Sequence, residues 1–249
     1  QGEQDILDLF KIYDDYIDDL KVENQQKRYD GQDTWYHASG AGMCMRKHHF
    51  SQIQQLPSKD KDVNTMRLFR LGDLVHTDMQ DALQRYSDKT GVEVYIEKEI
   101  TIPRLNVRSF IDAMVVKEGA LYDIKTCNDY KWQSMFGRYG SKEAPQNYAI
   151  QLGTYGLYFR ENDVKIRKMA LLFYNKNTSR VKELKVPRTY IDMAERYWLK
   201  VQELFKEGLP PIEKGLSPVE DWECNPKYCS FYEPCGGGIK ETKKGQFNG

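Results

Sequence analysis

The stretch that decides the fold is Ser109-Phe110-Ile111-Asp112-Ala113-Met114-Val115-Val116, followed after a short turn by Leu121-Tyr122-Asp123-Ile124-Lys125-Thr126. Both segments are rich in β-branched, aromatic and other apolar residues, which predicts two neighbouring strands. Because side chains alternate on a strand, Asp123 and Lys125 share one face, and the three residues beside them share the other. A charged face therefore interrupts a strand that is otherwise apolar.

Buried charges in a sheet are costly unless they are paired with one another or bind a metal ion. Asp112 and Asp123 come from neighbouring strands, and Lys125 follows two residues after the second of them. Two carboxylates are hard oxygen ligands suited to Mg²⁺, and the lysine adds a cation beside them. The sequence thus predicts a metal site for hydrolysis, with an ordinary Asp–Lys ion pair at a sheet edge as the alternative.

The rest of the chain predicts an α/β protein with a central sheet flanked by helices. The periodicity gives the order helix, three strands, helix, two strands, helix. The predicted helices cover residues 5–26, 62–89, 144–160 and 188–207, with a shorter one at 44–54, and the strands cover 92–100, 107–116, 120–126, 165–175 and 180–186. The long helix at 62–89 is expected to turn Met66, Phe69, Leu74, Val75 and Leu83 toward the core.

Two further motifs flank the charged strands. Gly72-Asp73-Leu74-Val75-His76 places a histidine on the long helix, and Gln151-Leu152-Gly153-Thr154-Tyr155 places Gln151 and Tyr155 one helical turn apart on one face. The motifs occur in the order G-x-x-x-H, I-D, D-I-K-T and Q-x-x-x-Y.

This ordered set resembles the RecB-like nucleases of the PD-(D/E)XK superfamily over roughly residues 39–235. The resemblance implies that His76, Asp112 and Asp123 bind Mg²⁺ or Mn²⁺ together with the backbone carbonyl of Ile124. It further implies that Lys125 orients or activates the attacking water, and that Gln151 and Tyr155 support the site or contact the substrate. Glu97 and Glu99 on the first strand are expected to be solvated or secondary.

The cysteines form a second constellation. Cys224, Cys229 and Cys235 are arranged as C-x4-C-x5-C, one thiolate short of a four-ligand site, and Cys44 is the natural fourth. Cys127 is expected to be a small buried apolar residue.

The segment Ser39–Lys47 resembles the Cys-x-Arg entrance of iron–sulfur members of this nuclease group, such as the AddB and CRISPR-adaptation nuclease domains. In those families one N-terminal and three C-terminal cysteines hold a [4Fe-4S] cluster that joins the ends of the domain. This chain departs from the usual C-x2-C-x5-C spacing by two extra residues in the first gap. Zn²⁺ and free thiols therefore remain alternatives to the cluster.

The overall charge is zero, with 37 basic and 37 acidic residues, but its distribution is uneven. Residues 1–33 contain ten acidic and four basic residues, so the remainder of the chain is net positive and a DNA partner is not excluded. Arg46, Lys131 and Trp132 are expected to contact DNA. Tyr130, Trp132 and Phe136 offer a base-stacking platform, and a helix with an apolar side packed on the sheet is the alternative.

Together these patterns predict a metal-dependent DNA nuclease, an exonuclease acting on single-stranded or end-containing DNA. A non-catalytic DNA-binding subunit of a recombination or CRISPR-adaptation complex is the alternative, and a structural zinc protein is a third reading. The expected segments are an acidic helix and loop (1–38), a first cysteine segment (39–61), a nuclease core (62–207) and a second cysteine segment (208–249). The mean hydropathy of −0.73 and the absence of a long apolar run predict no membrane span and a cytoplasmic location, with phage origin left open.

Overall fold

The computed structural model describes residues 8–28, 34–55 and 62–237. Within these ranges the helices are α1 (Leu9–Arg28), α2 (Met45–Gln52), α3 (Val63–Thr90), α4 (Asp129–Phe136), α5 (Gln146–Glu161) and α6 (Tyr190–Glu207). The strands are β1 (Tyr36–His37), β2 (Val94–Ile102), β3 (Val107–Val115), β4 (Ala120–Cys127), β5 (Lys168–Asn175) and β6 (Val181–Lys185). The predicted order of elements is confirmed, and the structure adds β1 and α4.

The strands form one mixed sheet, as predicted. β2 pairs antiparallel with β3 and β3 with β4, whereas β4 and β5 are parallel and β6 returns antiparallel to β5. The parallel β4–β5 pair requires a crossover connection, which α4 and α5 provide. β4 therefore lies inside the sheet, where its charged residues are shielded from water.

The β3–β4 hairpin is paired only near its turn. Regular pairing covers Val115↔Ala120, Met114↔Leu121 and Ala113↔Tyr122, and both strands continue beyond this point. β2 pairs with β3 as far as Ile102↔Val107, so it occupies one edge of β3 almost throughout. β1 pairs with Val107 and Arg108 and must therefore use the same edge of β3 as β4. A fork thus opens between β3 and β4, beginning at Asp112 and Asp123.

Helices cover both faces of the sheet near this fork. α5 lies on the face that carries Lys125, since Gln151 accepts a hydrogen bond from the lysine ammonium. On the opposite face α3 approaches closely at Gly72, where an added Cβ would lie 3.2 Å from Thr126 Oγ1. α6 packs on α5 at Gly153, where a Cβ would lie 2.2 Å from the Tyr190 carbonyl oxygen. Glycine is required at that crossing because any side chain would collide with backbone.

The core is continuous around the sheet and includes Ile111, Met114, Leu121, Leu152, Phe159, Phe173 and Trp198. The N-terminal helices contribute less to this core than the periodicity predicted. On α1 Ile17 is buried, whereas Leu9 and Phe10 are 73% and 74% exposed. On α3 the expectation that Phe69 and Leu74 face the core was wrong, since they are 50% and 47% exposed. The sheet and the described part of α1 both contact α3 but cover only part of its apolar side.

α1 is held against α3 by Arg67, whose Nε and Nη2 donate to the two carboxylate oxygens of Asp14 at 2.9 and 2.7 Å.

In the described part of the chain no helix combines the length and apolar character needed to span a bilayer.

Candidate active site and cysteine cavity

Asp123 is the most deeply buried acidic residue at the fork. Its side chain is 1% exposed, and neither carboxylate oxygen accepts a hydrogen bond from the described residues. Lys125 Nζ lies 2.8 Å from Oδ2, a charge contact whose angles fall outside hydrogen-bond geometry. The pKa of Asp123 is raised to about 6, because burial raises it more than the positive charge of Lys125 lowers it, and Asp112 adds a smaller increase. A buried carboxylate that accepts no hydrogen bond is costly, and the charge of Lys125 offsets part of that cost.

Asp112 lies at the point where the two strands separate. Its Oδ2 accepts a hydrogen bond of 2.6 Å from the backbone N–H of Ile124, so its carboxylate bridges the fork where the backbone ladder ends. His76 Nδ1 on α3 lies 3.8 Å from the same oxygen. Burial lowers the pKa of His76, and the positive charge of Lys125 lowers it further. The imidazole is therefore kept neutral near pH 7, the state in which histidine binds metal ions.

Lys125 is held by three groups. Besides contacting Asp123, its Nζ donates to Gln151 Oε1 at 2.9 Å and lies 4.8 Å from the ring centroid of Tyr148. Burial alone would lower the pKa of Lys125, but the two nearby aspartates raise it overall. The ammonium thus stays charged, and its position is fixed beside the carboxylate.

The predicted Gln151–Tyr155 pair forms a relay behind this lysine. Gln151 Nε2 donates to the Tyr155 hydroxyl at 2.8 Å, and both side chains are buried. Burial raises the pKa of Tyr155 well above its ordinary value. Through Gln151 the pair therefore fixes the position of the Lys125 ammonium.

Tyr148 is a site residue that the sequence patterns did not indicate. Its ring is contacted by Lys125 and also by Lys131 Nζ, 5.6 Å from the ring centroid. Burial raises the pKa of its hydroxyl. Tyr148 lies one turn before Gln151 on α5, so the spacing i, i+3 was the available signal.

A second buried amide supports Asp112 from the α3 side. Gln80 Nε2 donates to the Asp112 carbonyl oxygen at 3.0 Å and to Glu97 Oε1 at 2.9 Å. Glu97 has a positive φ of 48° within β2, a strained conformation for this residue type. Because Gln80 donates to both residues, Glu97 lies near Asp112 at the fork. Glu99 instead pairs with Arg108 at the sheet surface.

The residues at the fork fit a hard divalent cation in chemical type, since they offer two carboxylates and a neutral imidazole. As placed, however, no three His, Cys, Asp or Glu side chains in the described ranges converge closely enough to hold one ion. Asp112 is engaged by Ile124 N and Asp123 by Lys125 Nζ. The observation that favours a cation is that Asp123 Oδ1 is buried and has no hydrogen-bond partner among the described residues. The role of the Ile124 carbonyl stays a prediction.

The four cysteines expected to share a ligand line a single cavity. Cys44, at the N-terminal end of α2, meets Cys224, Cys229 and Cys235 of the C-terminal segment, together with the rings of Phe50 and Phe231. Burial raises the pKa of the Cys44 thiol, and backbone N–H groups of α2 oppose that shift. Cys127 is buried elsewhere, at the end of β4.

Glu223 joins the two cysteine segments and was not anticipated. Its side chain is 1% exposed, and Oε2 accepts from the Cys44 backbone N–H at 2.8 Å and contacts Lys47 Nζ at 3.4 Å. Oε1 accepts from the Glu220 backbone N–H, which closes the turn that contains Cys224. A single carboxylate therefore ties residues 44 and 223 together. Its long sequence separation gives no local pattern by which it could be recognised.

The residues expected to contact DNA occupy different places. Arg46 lines the cysteine cavity. Lys131 contacts the ring of Tyr148, which also contacts Lys125. Trp132 is 6% exposed and packs against Phe136, which corrects the expectation of a three-ring stacking platform. α4 has its apolar side in the core, and only Tyr130 of the three rings is strongly exposed.

Comparison with known proteins gives a fold relationship. No protein-family model matches the chain, and no curated protein matches its sequence. The crystal structure of SSO0001 is similar with a TM-score of 0.57 and 17% identity, covering 91% of this chain and 97% of that one. This similarity shows a shared fold and nothing further.

Two other solved structures match with lower scores. The alkaline exonuclease LHK-Exo from Laribacter hongkongensis has a TM-score of 0.46 and 12% identity, covering 74% of this chain and 94% of its own. Its complex with dAMP has a TM-score of 0.43 and 13% identity over the same shares. At these scores the two matches carry no argument about this chain.

Proposed function

We propose that this protein is a metal-dependent deoxyribonuclease whose active site is the fork between β3 and β4. The observation that carries the proposal is Asp123, a buried carboxylate that accepts no hydrogen bond from the described residues and forms an ion pair with Lys125 at 2.8 Å. A purely structural role explains such a residue poorly, because an apolar side chain of similar volume would avoid the cost of burying a charge. In the hydrolysis of a phosphodiester this carboxylate would bind the metal ion.

Each polar side chain at the fork has a distinct role in this proposal. Asp112, Asp123 and His76 would hold Mg²⁺ or Mn²⁺, which when bound supplies a hydroxide and neutralises charge on the phosphoryl group. Lys125 places its ammonium next to Asp123, where it can orient a water molecule or stabilise the developing negative charge. Gln151 fixes the lysine rotamer through a 2.9 Å hydrogen bond. The charged set is complete, which favours catalysis over the non-catalytic DNA-binding alternative.

The cysteine cavity supports a proposed structural cofactor. Four cysteines line it, yet no three of them lie close enough together to bind one ion as placed. A [4Fe-4S] cluster distributes its four thiolates over separate iron atoms and therefore suits a wider cysteine set than one Zn²⁺ does. We propose that the cluster joins the Cys44 segment to residues 224–235, with Zn²⁺ as the alternative.

The experiment that tests the activity compares end-labelled linear DNA with circular DNA, each single-stranded or double-stranded. The purified protein is incubated with Mg²⁺, with Mn²⁺, or with neither. Release of short products from linear single strands, with circles left intact, would support an exonuclease. Cleavage of circles would replace exonuclease by endonuclease, and no cleavage of any substrate with either metal would refute the proposed function.

A further inference from the structure

An open cavity lies at the other end of the sheet from the fork. It is lined by the start of β5, the end of β6 and the connection into α6, and its charged residues are Arg167, Lys168, Lys185 and Arg188. No acidic residue lines it. A protein with no net charge has therefore concentrated four cations around one opening.

Three of the four cations of this cavity form no ion pair with a described residue. Elsewhere, Arg104 is paired with Glu161 and Glu195, Arg160 with Asp192, and Arg108 with Glu99. In the cavity only Lys168 forms an ion pair with a described residue, with Glu183 at 2.8 Å. Unneutralised like charges repel one another, and an anion bound among them would relieve that repulsion.

The cavity residues are held in place by the backbone. Arg167 and Lys168 both donate their backbone N–H to the Gly119 carbonyl oxygen, at 2.8 and 3.2 Å, in the turn of the β3–β4 hairpin. Arg188 Nη1 donates to the Ile166 carbonyl oxygen at 3.3 Å. The start of β5 is thus fixed to the same hairpin whose other end carries the fork.

This arrangement sets the distance between the two sites. Lys168 is in register with Ala120, three residues before Asp123 on β4. At about 3.3 Å per residue, the cavity begins about 10 Å from the carboxylates along the strand direction. Neighbouring phosphates of a single strand lie farther apart than the axial rise of about 3.4 Å in a duplex, so at most about three nucleotides span the gap.

From these observations we propose that the cavity formed by Arg167, Lys168, Lys185 and Arg188 is a second binding site for the phosphate backbone of a DNA strand. It contacts the strand a few nucleotides away from the phosphate at the fork. The inference rests on the proposed function in taking DNA as the substrate. Such a site retains a long strand while the fork acts on its end.

The test measures DNA binding by the full chain, with its cysteine-bound group intact and with Asp123→Asn to prevent cleavage. Fluorescence anisotropy is recorded for single strands of 3 and 20 nucleotides over a range of salt concentrations. The test variant is Arg167→Gln/Lys185→Gln, because neither side chain forms a hydrogen bond or ion pair among the described residues. The control is Lys11→Gln/Lys214→Gln, which removes the same charge at exposed pairs with Asp15 and Asp221.

We expect the cavity variant to bind the 20-nucleotide strand about 10-fold more weakly at low salt, with a salt slope smaller by about 1.4. Its affinity for the 3-nucleotide strand and its melting temperature should match those of the control. Equal affinities of the two variants for the long strand would overturn the inference. A loss that is the same for both lengths would also overturn it, since that result indicates general electrostatics.

The outcome is separable from that of the proposed function. DNA cleavage by the unmodified protein, with no effect of the cavity substitutions on binding, refutes only the second site. Length-dependent binding that needs the cavity, in a protein that cleaves nothing, refutes only the nuclease activity.

Discussion

Asp112 accepts a hydrogen bond of 2.6 Å from the backbone N–H of Ile124, across the point where β3 and β4 separate. The Asp112 side chain takes the place of a backbone carbonyl as the acceptor. The same carboxylate therefore links the two strands where their backbone pairing ends and also faces the site. The structural and chemical roles of Asp112 can be separated, because asparagine retains an acceptor oxygen but has no charge.

We predict that Asp112→Asn changes the free energy of unfolding by less than about 1 kcal/mol and abolishes cleavage. Asp112→Ala should lower that free energy by about 1 to 3 kcal/mol, since the Ile124 N–H then lacks its partner. Urea denaturation and the nuclease assay report the two properties. Equal stability of the two variants would show that the hydrogen bond does not hold the fork.

The Asp123–Lys125 pair gives a second prediction. Lys125→Met leaves a buried carboxylate without its cation and should lower the free energy of unfolding by about 3 kcal/mol at pH 8. Asp123→Asn/Lys125→Met removes both charges and should recover most of that loss. Urea denaturation of the unmodified protein, Asp123→Asn, Lys125→Met and the double variant, without added metal, gives the coupling energy. Additive effects of the two substitutions would show that the pair is not coupled.

His48 gives a pH prediction that is independent of the fork. It is buried in the core, and its Nε2 lies 2.6 Å from the Tyr197 hydroxyl, which links α2 to α6. Burial lowers the pKa of His48 from 6.5 to about 4, while the unfolded chain takes up this proton near pH 6.5. The unfolded state therefore binds more protons between these values, and stability falls as the pH decreases from 6.5 to 4.

We expect His48 to account for about 3 kcal/mol of the stability lost over that interval. The measurement is the free energy of unfolding at pH 7 and at pH 4.5 for the unmodified protein and for His48→Gln. The variant should be less stable at pH 7 but should lose less on acidification. The same pH dependence in both proteins would contradict this assignment.

The cysteine cavity predicts a group bound by four specific thiols. Cys44→Ser and Cys229→Ser should lose brown colour, iron and acid-labile sulfide, whereas Cys127→Ser should retain them. The first two should also unfold at lower temperature, because the bound group joins distant segments. Iron, sulfide and zinc analysis of each protein is the measurement. One zinc per chain would replace the cluster by the zinc alternative, and retention of the metal by Cys44→Ser would exclude that residue as a ligand.

Local pattern accounts for much of the fold and for part of the site. The alternation around Asp123 and Lys125 predicted their shared face, and the i, i+4 spacing predicted the Gln151–Tyr155 contact that the structure shows. These features depend only on the geometry of one strand or one helix. Their roles as metal ligands and catalytic groups remain predictions.

The features that were missed depend on contacts between distant segments. Glu223 reaches Cys44 across the chain, and Gln80 reaches Asp112 and Glu97 from another element, so no local spacing reveals them. Trp132 was expected to be available for stacking but is buried, because the periodicity of α4 does not specify which side meets the sheet. The fork forms where the backbone pairing of β3 and β4 ends, and the amino-acid composition of the strands does not determine that point.

The central claim is that the carboxylates of the fork hydrolyse DNA with a bound metal ion. Its most direct test is the single-turnover cleavage rate of end-labelled DNA at saturating Mn²⁺, for the unmodified protein, Asp123→Asn and the control Glu99→Gln. We predict that Asp123→Asn is slower by at least about 100-fold, because loss of the ligand removes several kcal/mol of transition-state stabilisation, and that Glu99→Gln retains its rate. Equal rates for Asp123→Asn and the unmodified protein would contradict the account.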